Sequence, residues 1–267
     1  MIKALFFDVD GTLVGFRQTQ LSDRLRADLL ALQAKKIKVF ISSGRARQDF
    51  ARTEMLRDVE FDGYISLNGQ CCYDRYGVYR DIPICREDLV VACQVLRENP
   101  RLAALMEGDG ESYLTKIDGR VRDIYHFLHT ELWEIRPPEW MLDHKVYQFV
   151  PMIGPEDEDL FLPVMPHCTY TRWHPKGIDI LPSSGGKAAG VLATMERYGL
   201  APEEIMAFGD GENDEAMLKL AGTSVAMGNA TETIKALASY VTAAVDEDGV
   251  SKALRYFNLL PDENLHL

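Results

Sequence analysis

A chain of 267 residues that is 46% hydrophobic and 26% charged holds enough apolar material for one large domain or two smaller ones. Its formal net charge of -12, without a lysine or arginine run, argues against nucleic acid as a partner. No apolar stretch is long enough for a signal peptide or a membrane span, and five scattered cysteines without Cys-x-x-Cys spacing disfavour a zinc site or disulfide framework, so a cytoplasmic protein is expected.

The first apolar stretch, Ala4 to Phe7, reads as a strand that runs directly into Asp8. Leu21, Leu25, Leu29 and Leu32 then recur at helical spacing, and Ile37 to Ile41 reads as a second strand ending at Ser42-Ser43-Gly44-Arg45. A helix over 46–56 and a strand over 64–67, closed by Asn68-Gly69, continue the strand–helix alternation of a parallel, doubly wound sheet. Residues 71–81 form a hairpin turning at Tyr76-Gly77.

The grammar then changes. A helix over 87–97, strands near 102–106 and 112–117, a helix over 121–132 and strands near 145–150, 169–174 and 177–181 describe a mixed α+β insertion. Its hinges are expected at Ile82-Pro83 and Leu181-Pro182, because proline limits regular structure and boundaries fall in exposed loops. The doubly wound pattern resumes with a helix over 187–198, a strand over 205–208, a helix over 212–220 and a strand over 223–227. The fold class is therefore α/β. Residues 1–82 and 182–267 form the core domain, and 83–181 form an inserted α+β cap.

Four motifs fall at strand ends or helix starts, which converge on the carboxyl edge of such a sheet. In Asp8-Val-Asp10-Gly11-Thr12 the period of two can bring both carboxylates to one side, where they repel unless a cation such as Mg2+ lies between them. An Asp-Gly turn is the structural alternative. Ser43-Gly44-Arg45 offers a hydroxyl and backbone N–H groups at a helix start, suited to phosphate or simply to an N-cap. Lys187 opens a helix after Ser183-Ser-Gly-Gly186 and can neutralise a phosphate oxygen or sit solvated. Gly209-Asp210-Gly211-Glu212-Asn213-Asp214 can complete a metal site or cap the next helix. Each structural alternative explains one motif, whereas a metal-assisted phosphoryl site explains all four together.

Taken in order, Asp8-x-Asp10-Gly-Thr-Leu, Ser43-Gly-Arg, Lys187 and Gly-Asp210-x-x-Asn213-Asp214 resemble motifs I to IV of the haloacid dehalogenase superfamily. Asn68-Gly69, Val225-Ala-Met-Gly-Asn-Ala230 and Asp248-Gly-Val-Ser-Lys252 extend the resemblance to its Cof-type sugar-phosphate phosphatases. The resemblance implies a Rossmann-like core, a phosphorylated small-molecule substrate and Mg2+. It makes Asp8 the nucleophile that forms a phosphoaspartate and Asp10 the general acid and base. Asp8, Asp210 and the backbone carbonyl of Asp10 would hold the metal. Ser43, Gly44, Lys187 and Asn213 would bind the phosphoryl group, and Asp214 would orient the metal or Lys187. Serine replaces the more frequent threonine of motif II, and Ala188 follows Lys187 where glycine is common; neither removes a functional group.

In the cap, Thr169 to His174 is the candidate for sugar contact, with Tyr170, Arg172 and His174 expected on one face and Trp173 on the other, or packed in the cap core. The expected activity is hydrolysis of hexose or other sugar phosphates. A phosphosugar mutase and a sugar-phosphate-binding regulatory module are the alternatives, the second disfavoured because pure binding needs neither nucleophile nor acid. Nothing in the chain specifies an oligomeric state.

Overall fold

The computed structural model describes residues 1–108, 110–128 and 130–261; the end of the expected second core segment, 262–267, lies outside these. The strands are β1 Ala4–Phe7, β2 Lys38–Ser42, β3 Gly63–Ser66, β4 Cys71–Asp74, β5 Gly77–Asp81, β6 Ala104–Gly108, β7 Ser112–Leu114, β8 Val146–Pro151, β9 Cys168–His174, β10 Gly177–Pro182, β11 Ile205–Gly209, β12 Thr223–Ala226 and β13 Tyr240–Val241. Helices α1 Asp23–Ala34, α2 Arg47–Arg52, α3 Arg86–Glu98, α4 Gly119–Phe127, α5 Trp140–Asp143, α6 Lys187–Tyr198, α7 Glu215–Leu220, α8 Glu232–Leu237 and α9 Gly249–Tyr256 alternate with them.

Two sheets result. In the first, β13-β12-β11-β1-β2-β3 run parallel and the β4–β5 hairpin adds two antiparallel strands at one edge. The second sheet, β7-β6-β8-β10-β9, is antiparallel throughout. The central strand β1 is wholly buried because both of its faces are covered, as a continuous apolar run requires. Leu5 and Phe7 pack with Leu25, Leu29 and Leu32 of α1 and with Val250 and Leu254 of α9. Ala4 and Phe6, a half-period out, pack with Val191 of α6, Met217 of α7 and Ile234 of α8. Period two in β1 thus meets helices on both sides of the sheet.

Two expected helices end earlier than their sequence pattern. The helix placed over 46–56 ends at Arg52, since Thr53 adopts extended backbone and turns its hydroxyl back to the Asp49 carbonyl at 2.9 Å, freeing Met55 and Leu56 for the core. The helix placed over 121–132 ends at Phe127, and Leu132 and Trp133 pack beside Val121 and Tyr125 from non-helical chain. Helices α5, α8 and α9 and the two-residue strand β13 are additions to the expected elements.

Candidate active site

The carboxyl ends of β1, β2, β3 and β11 lie side by side, so the residues that follow them share one edge of the sheet. Asp8 follows β1, Ser43 follows β2 and Asp210 follows β11, while Lys187 opens α6 from the next layer. Two glycines permit the close approach. A side chain at Gly11, where φ is +88°, would stand 2.2 Å from Asp210 Oδ2, and one at Gly69 would stand 2.3 Å from the Gly186 carbonyl oxygen. The second contact sets the turn carrying Asn68 against the start of α6.

Lys187 is the electrostatic centre of this edge. Its ammonium donates to Asp8 Oδ1 at 2.6 Å and to Asp214 Oδ1 at 2.6 Å, and it is buried rather than solvated. Burial works against the charge, but Asp214 and Asp8 hold the ammonium above its ordinary pKa. One cation does not balance the surrounding carboxylates. Burial pushes Asp8 well above the usual carboxylate range, Lys187 pulls it back, and Asp214, Asp210 and Asp10 push it further up. Asp210 is pushed up to about 7 by burial and by Asp214, against the opposing pull of Lys187.

The carboxylates of Asp8, Asp210 and Asp214 offer ligand atoms within 4.8 Å of one another. All are hard oxygen donors, and Asp8 and Asp210 are raised first by burial and then by neighbouring carboxylates, with Lys187 pulling both back, so the set fits a hard divalent cation. Asp214 is the most engaged. Its Oδ2 accepts the backbone N–H of Asp210 and of Gly211, each at 3.0 Å, while Oδ1 serves Lys187. Asn229, unassigned by the sequence reading, fixes Asp210 by donating to its Oδ2 and to the Gly11 carbonyl, both at 2.9 Å.

Asp10 stands apart from the carboxylate group. Both of its oxygens accept from Arg45, from Nε and from one terminal nitrogen at 2.7 Å each. The Ser43 segment also differs from expectation. Helix α2 begins four residues later, at Arg47, and the Ser43 N–H is spent on the Ile65 carbonyl at 2.8 Å. Asp49 caps the helix by accepting the Ala46 N–H at 3.0 Å. The Ser43 hydroxyl accepts the Arg45 N–H at 3.1 Å and, with Gly44, lines the cavity described next.

Above the edge lies a cavity of about 460 Å³, open to solvent on one side, between the first sheet and the inner face of the second. Its floor holds Asp8, Asp10, Asp210 and Asn213; its roof holds Glu107 of β6, Gln148 of β8 and Asp179 of β10. A hydrogen-bonded chain joins roof and floor. Asn213 donates to Asn68 Oδ1 at 3.0 Å, and the Asn68 amide donates to Gln148 Oε1 and to Asp179 Oδ2, also at 3.0 Å each. Gln148 in turn donates to Glu107 at 2.7 Å. Burial, then Asp49 and Asp179, push Glu107 well above the usual range; Asp179 is pushed up to about 7 by burial, partly offset by Asn68.

The structure brings together Asp8, Asp210, Asp214 and Lys187, with Asp10, Ser43, Gly44 and Asn213 facing the same cavity. Arg45, Asn68, Asn229 and the roof trio are the residues that the sequence reading left without a role. A signal existed for the trio, since Glu107, Gln148 and Asp179 are each a polar residue set in an apolar strand. From the expected sugar-contact strand, Thr171, Arg172 and Trp173 line the cavity, whereas Tyr170 is exposed. Arg172 is already engaged by Glu158 at 2.9 Å and by three backbone carbonyls.

A doubly wound sheet with an acidic carboxyl edge, a helix headed by a buried lysine and a second sheet roofing the cavity defines the class of Rossmann-like α/β proteins with a cap over the sheet edge. The family model for haloacid dehalogenase-like hydrolases matches residues 5–254, and the chain belongs to that family. It is 29% identical over 259 residues to the Bacillus subtilis protein YkrA, covering 97% of this chain and 98% of that one. It is 28% identical to the B. subtilis 5-amino-6-(5-phospho-D-ribitylamino)uracil phosphatase YcsE, covering 97% and 96%. Among solved structures, a sugar phosphatase of subclass IIB of the superfamily superposes with a TM-score of 0.85 at 33% identity, covering 97% of this chain and all of the other.

Proposed function

We propose that the chain is a Mg2+-dependent phosphatase of small phosphorylated metabolites, sugar phosphates of the hexose class foremost, acting through a phosphoaspartate on Asp8. The observation that carries this reading is the Lys187 ammonium held between Asp8 and Asp214 at the floor of a cavity whose roof is polar. A pure binding site needs no carboxylate aimed beside a charge-neutralising lysine.

In this reading Asp8 attacks phosphorus, and Lys187 lies where it can neutralise charge on the transferring group. Asp8, Asp210 and the Asp10 carbonyl would hold Mg2+, which supplies the charge neutralisation that lets a carboxylate approach a phosphate dianion. Ser43, Gly44 and Asn213 bind phosphoryl oxygens, and Asp214 keeps Lys187 in place. Asp10 gives a proton to the leaving alkoxide and later takes one from water. Arg45 orients the carboxylate that does so.

The division into a core of 1–82 and 182–267 and a cap of 83–181 belongs to the same proposal. The cap supplies Glu107, Gln148 and Asp179, which offer polar partners to a hydroxyl-rich leaving group and shield the site from water. Aromatic residues beside them, including Trp133 and Trp173, offer apolar faces to a sugar ring. A cytoplasmic location completes the reading; among the described residues no helix is long and apolar enough to cross a membrane.

The test is a screen of sugar phosphates, polyol phosphates and nucleotides for release of inorganic phosphate with and without Mg2+, ranked by kcat/KM. Hexose phosphates should lead. Conversion of one phosphosugar into another without free phosphate would identify a mutase, and tight binding without turnover a regulatory module.

A further inference from the structure

Outside the acidic edge, three side chains with metal-ligating atoms meet at the base of the second sheet, and a fourth adjoins them through Asp88. Cys85 immediately precedes α3, Asp88 lies in its first turn, and His167 and Cys168 stand at the start of β9. Cys85 Sγ is 3.5 Å from His167 Nδ1, and that nitrogen is 3.1 Å from Asp88 Oδ1. The ligand atoms of these three residues all lie within 4.8 Å of one another. Cys168 adds a second thiol, hydrogen-bonded to the same Asp88 carboxylate.

The spacing suits a tetrahedral ion. With metal–sulfur bonds of about 2.3 Å and metal–nitrogen or metal–oxygen bonds of about 2.0 to 2.1 Å, a sulfur–nitrogen edge is about 3.6 Å and a nitrogen–oxygen edge about 3.3 Å. The observed 3.5 and 3.1 Å differ from these by tenths of an ångström. Two thiols, an imidazole and a carboxylate form a borderline-soft donor set, which selects Zn2+ and rejects Mg2+. Asp88 is buried and its other oxygen accepts the His167 backbone N–H at 3.1 Å, so its orientation is set before any ion arrives. The His167 side chain is 65% exposed, leaving a path for entry.

The location gives such an ion a mechanical meaning. Cys85 comes directly after Ile84, whose N–H bonds to the Val146 carbonyl where the chain enters the second sheet. Cys168 pairs with Pro182 and the His167 carbonyl accepts the Ser183 N–H at 2.9 Å, where the chain leaves it. We propose that Cys85, Asp88, His167 and Cys168 form a zinc site that ties these two crossings together, separate from the Mg2+ chemistry at the sheet edge.

Cobalt is the direct probe, because thiolate ligation to tetrahedral Co2+ gives a near-ultraviolet charge-transfer band and intense visible bands, whereas a carboxylate site gives neither. Full-length protein, reduced and stripped with chelator, should develop these bands at stoichiometric Co2+ and lose them to Zn2+ but not to Mg2+. They should persist in Asp8→Asn and vanish in Cys85→Ser/Cys168→Ser. His167→Ala, which alters a mostly exposed side chain, should weaken Co2+ binding by about 10-fold or more. Absence of the bands in the reduced wild type would overturn the proposal. So would their survival in the double cysteine variant, which would assign them to Cys71, Cys72 or Cys93.

Discussion

Arg45 holds both oxygens of Asp10 at once, through two hydrogen bonds of 2.7 Å, so the acceptor site left on each oxygen points in a fixed direction. Burial opposes the Arg45 charge while Asp10 holds it in place, which makes the pair a fixed device rather than a surface contact. Arg45→Ala should lower kcat on sugar phosphates by about 100-fold, the low end of what a positioned acid–base group contributes, with a smaller change in KM. Arg45→Lys should rescue little, because an ammonium cannot reproduce the two-pronged geometry. Steady-state kinetics of both variants check this; wild-type kcat in either would free Asp10 from dependence on Arg45.

Much of this site was legible from sequence because strand ends in a doubly wound sheet converge whatever loops intervene. Asp8, Asp210 and Lys187 needed only their positions relative to β1, β11 and α6 to be placed together. The Arg45 partnership was not legible, since a side chain's choice between solvent and a carboxylate 35 positions away depends on loop geometry. Nor was the roof. Glu107, Gln148 and Asp179 meet through the strand order β6-β8-β10, and the spacing of apolar residues carries no record of strand order. The shortened α2 and α4 have a similar origin, because apolar residues beyond their ends fit a helical period yet are claimed by the core from turns and irregular chain.

Asp179 makes stability depend on pH in a defined direction. Its folded pKa of about 7 lies above the ordinary value of 3.8, so between these limits the folded protein keeps a proton that the unfolded chain has released. The contribution is therefore full below about pH 4 and is lost as pH rises through about 7, at about 1.4 kcal/mol per unit of separation. In EDTA, thermal melts should show Tm falling between pH 5 and 8, with Asp210 and Asp8 acting in the same direction. Asp179→Asn keeps an acceptor for Asn68 and should flatten the slope. An unchanged slope would mean that Asp179 does not titrate in this range.

The acidic edge should respond to Mg2+ in both activity and stability. EDTA should abolish phosphate release, and Ca2+ should restore it poorly, since Ca2+ prefers longer bonds and more ligands. Cations and protons compete for the same carboxylates, so Mg2+ should raise Tm more at pH 8 than at pH 5. Asp210→Ala should remove both effects. Full turnover in EDTA, or a wild-type Mg2+ response in that variant, would refute the metal assignment.

The two aspartates after β1 should separate by substrate. Asp8→Asn should abolish every phosphatase activity, because the amide has neither the charge nor the nucleophilicity that attack on phosphorus requires. Asp10 acts later in the electron flow. Protonation matters most for a poor leaving group such as a sugar alkoxide, whereas an acidic phenol departs unaided. Asp10→Ala should therefore give a burst of phenol from an aryl phosphate, followed by turnover slowed by about 100-fold or more, because the second step still lacks its base. Rapid acid quench during that slow phase should trap phosphate on Asp8. The same variant given a sugar phosphate should show no burst, since the first step now lacks its acid. Equal slowing of both substrates without a trapped intermediate would reduce Asp10 to an anchor for Arg45, and the proton would then have to come from the roof of the cavity, where burial pushes Asp179 up to about 7 and holds Glu107 well above the usual carboxylate range.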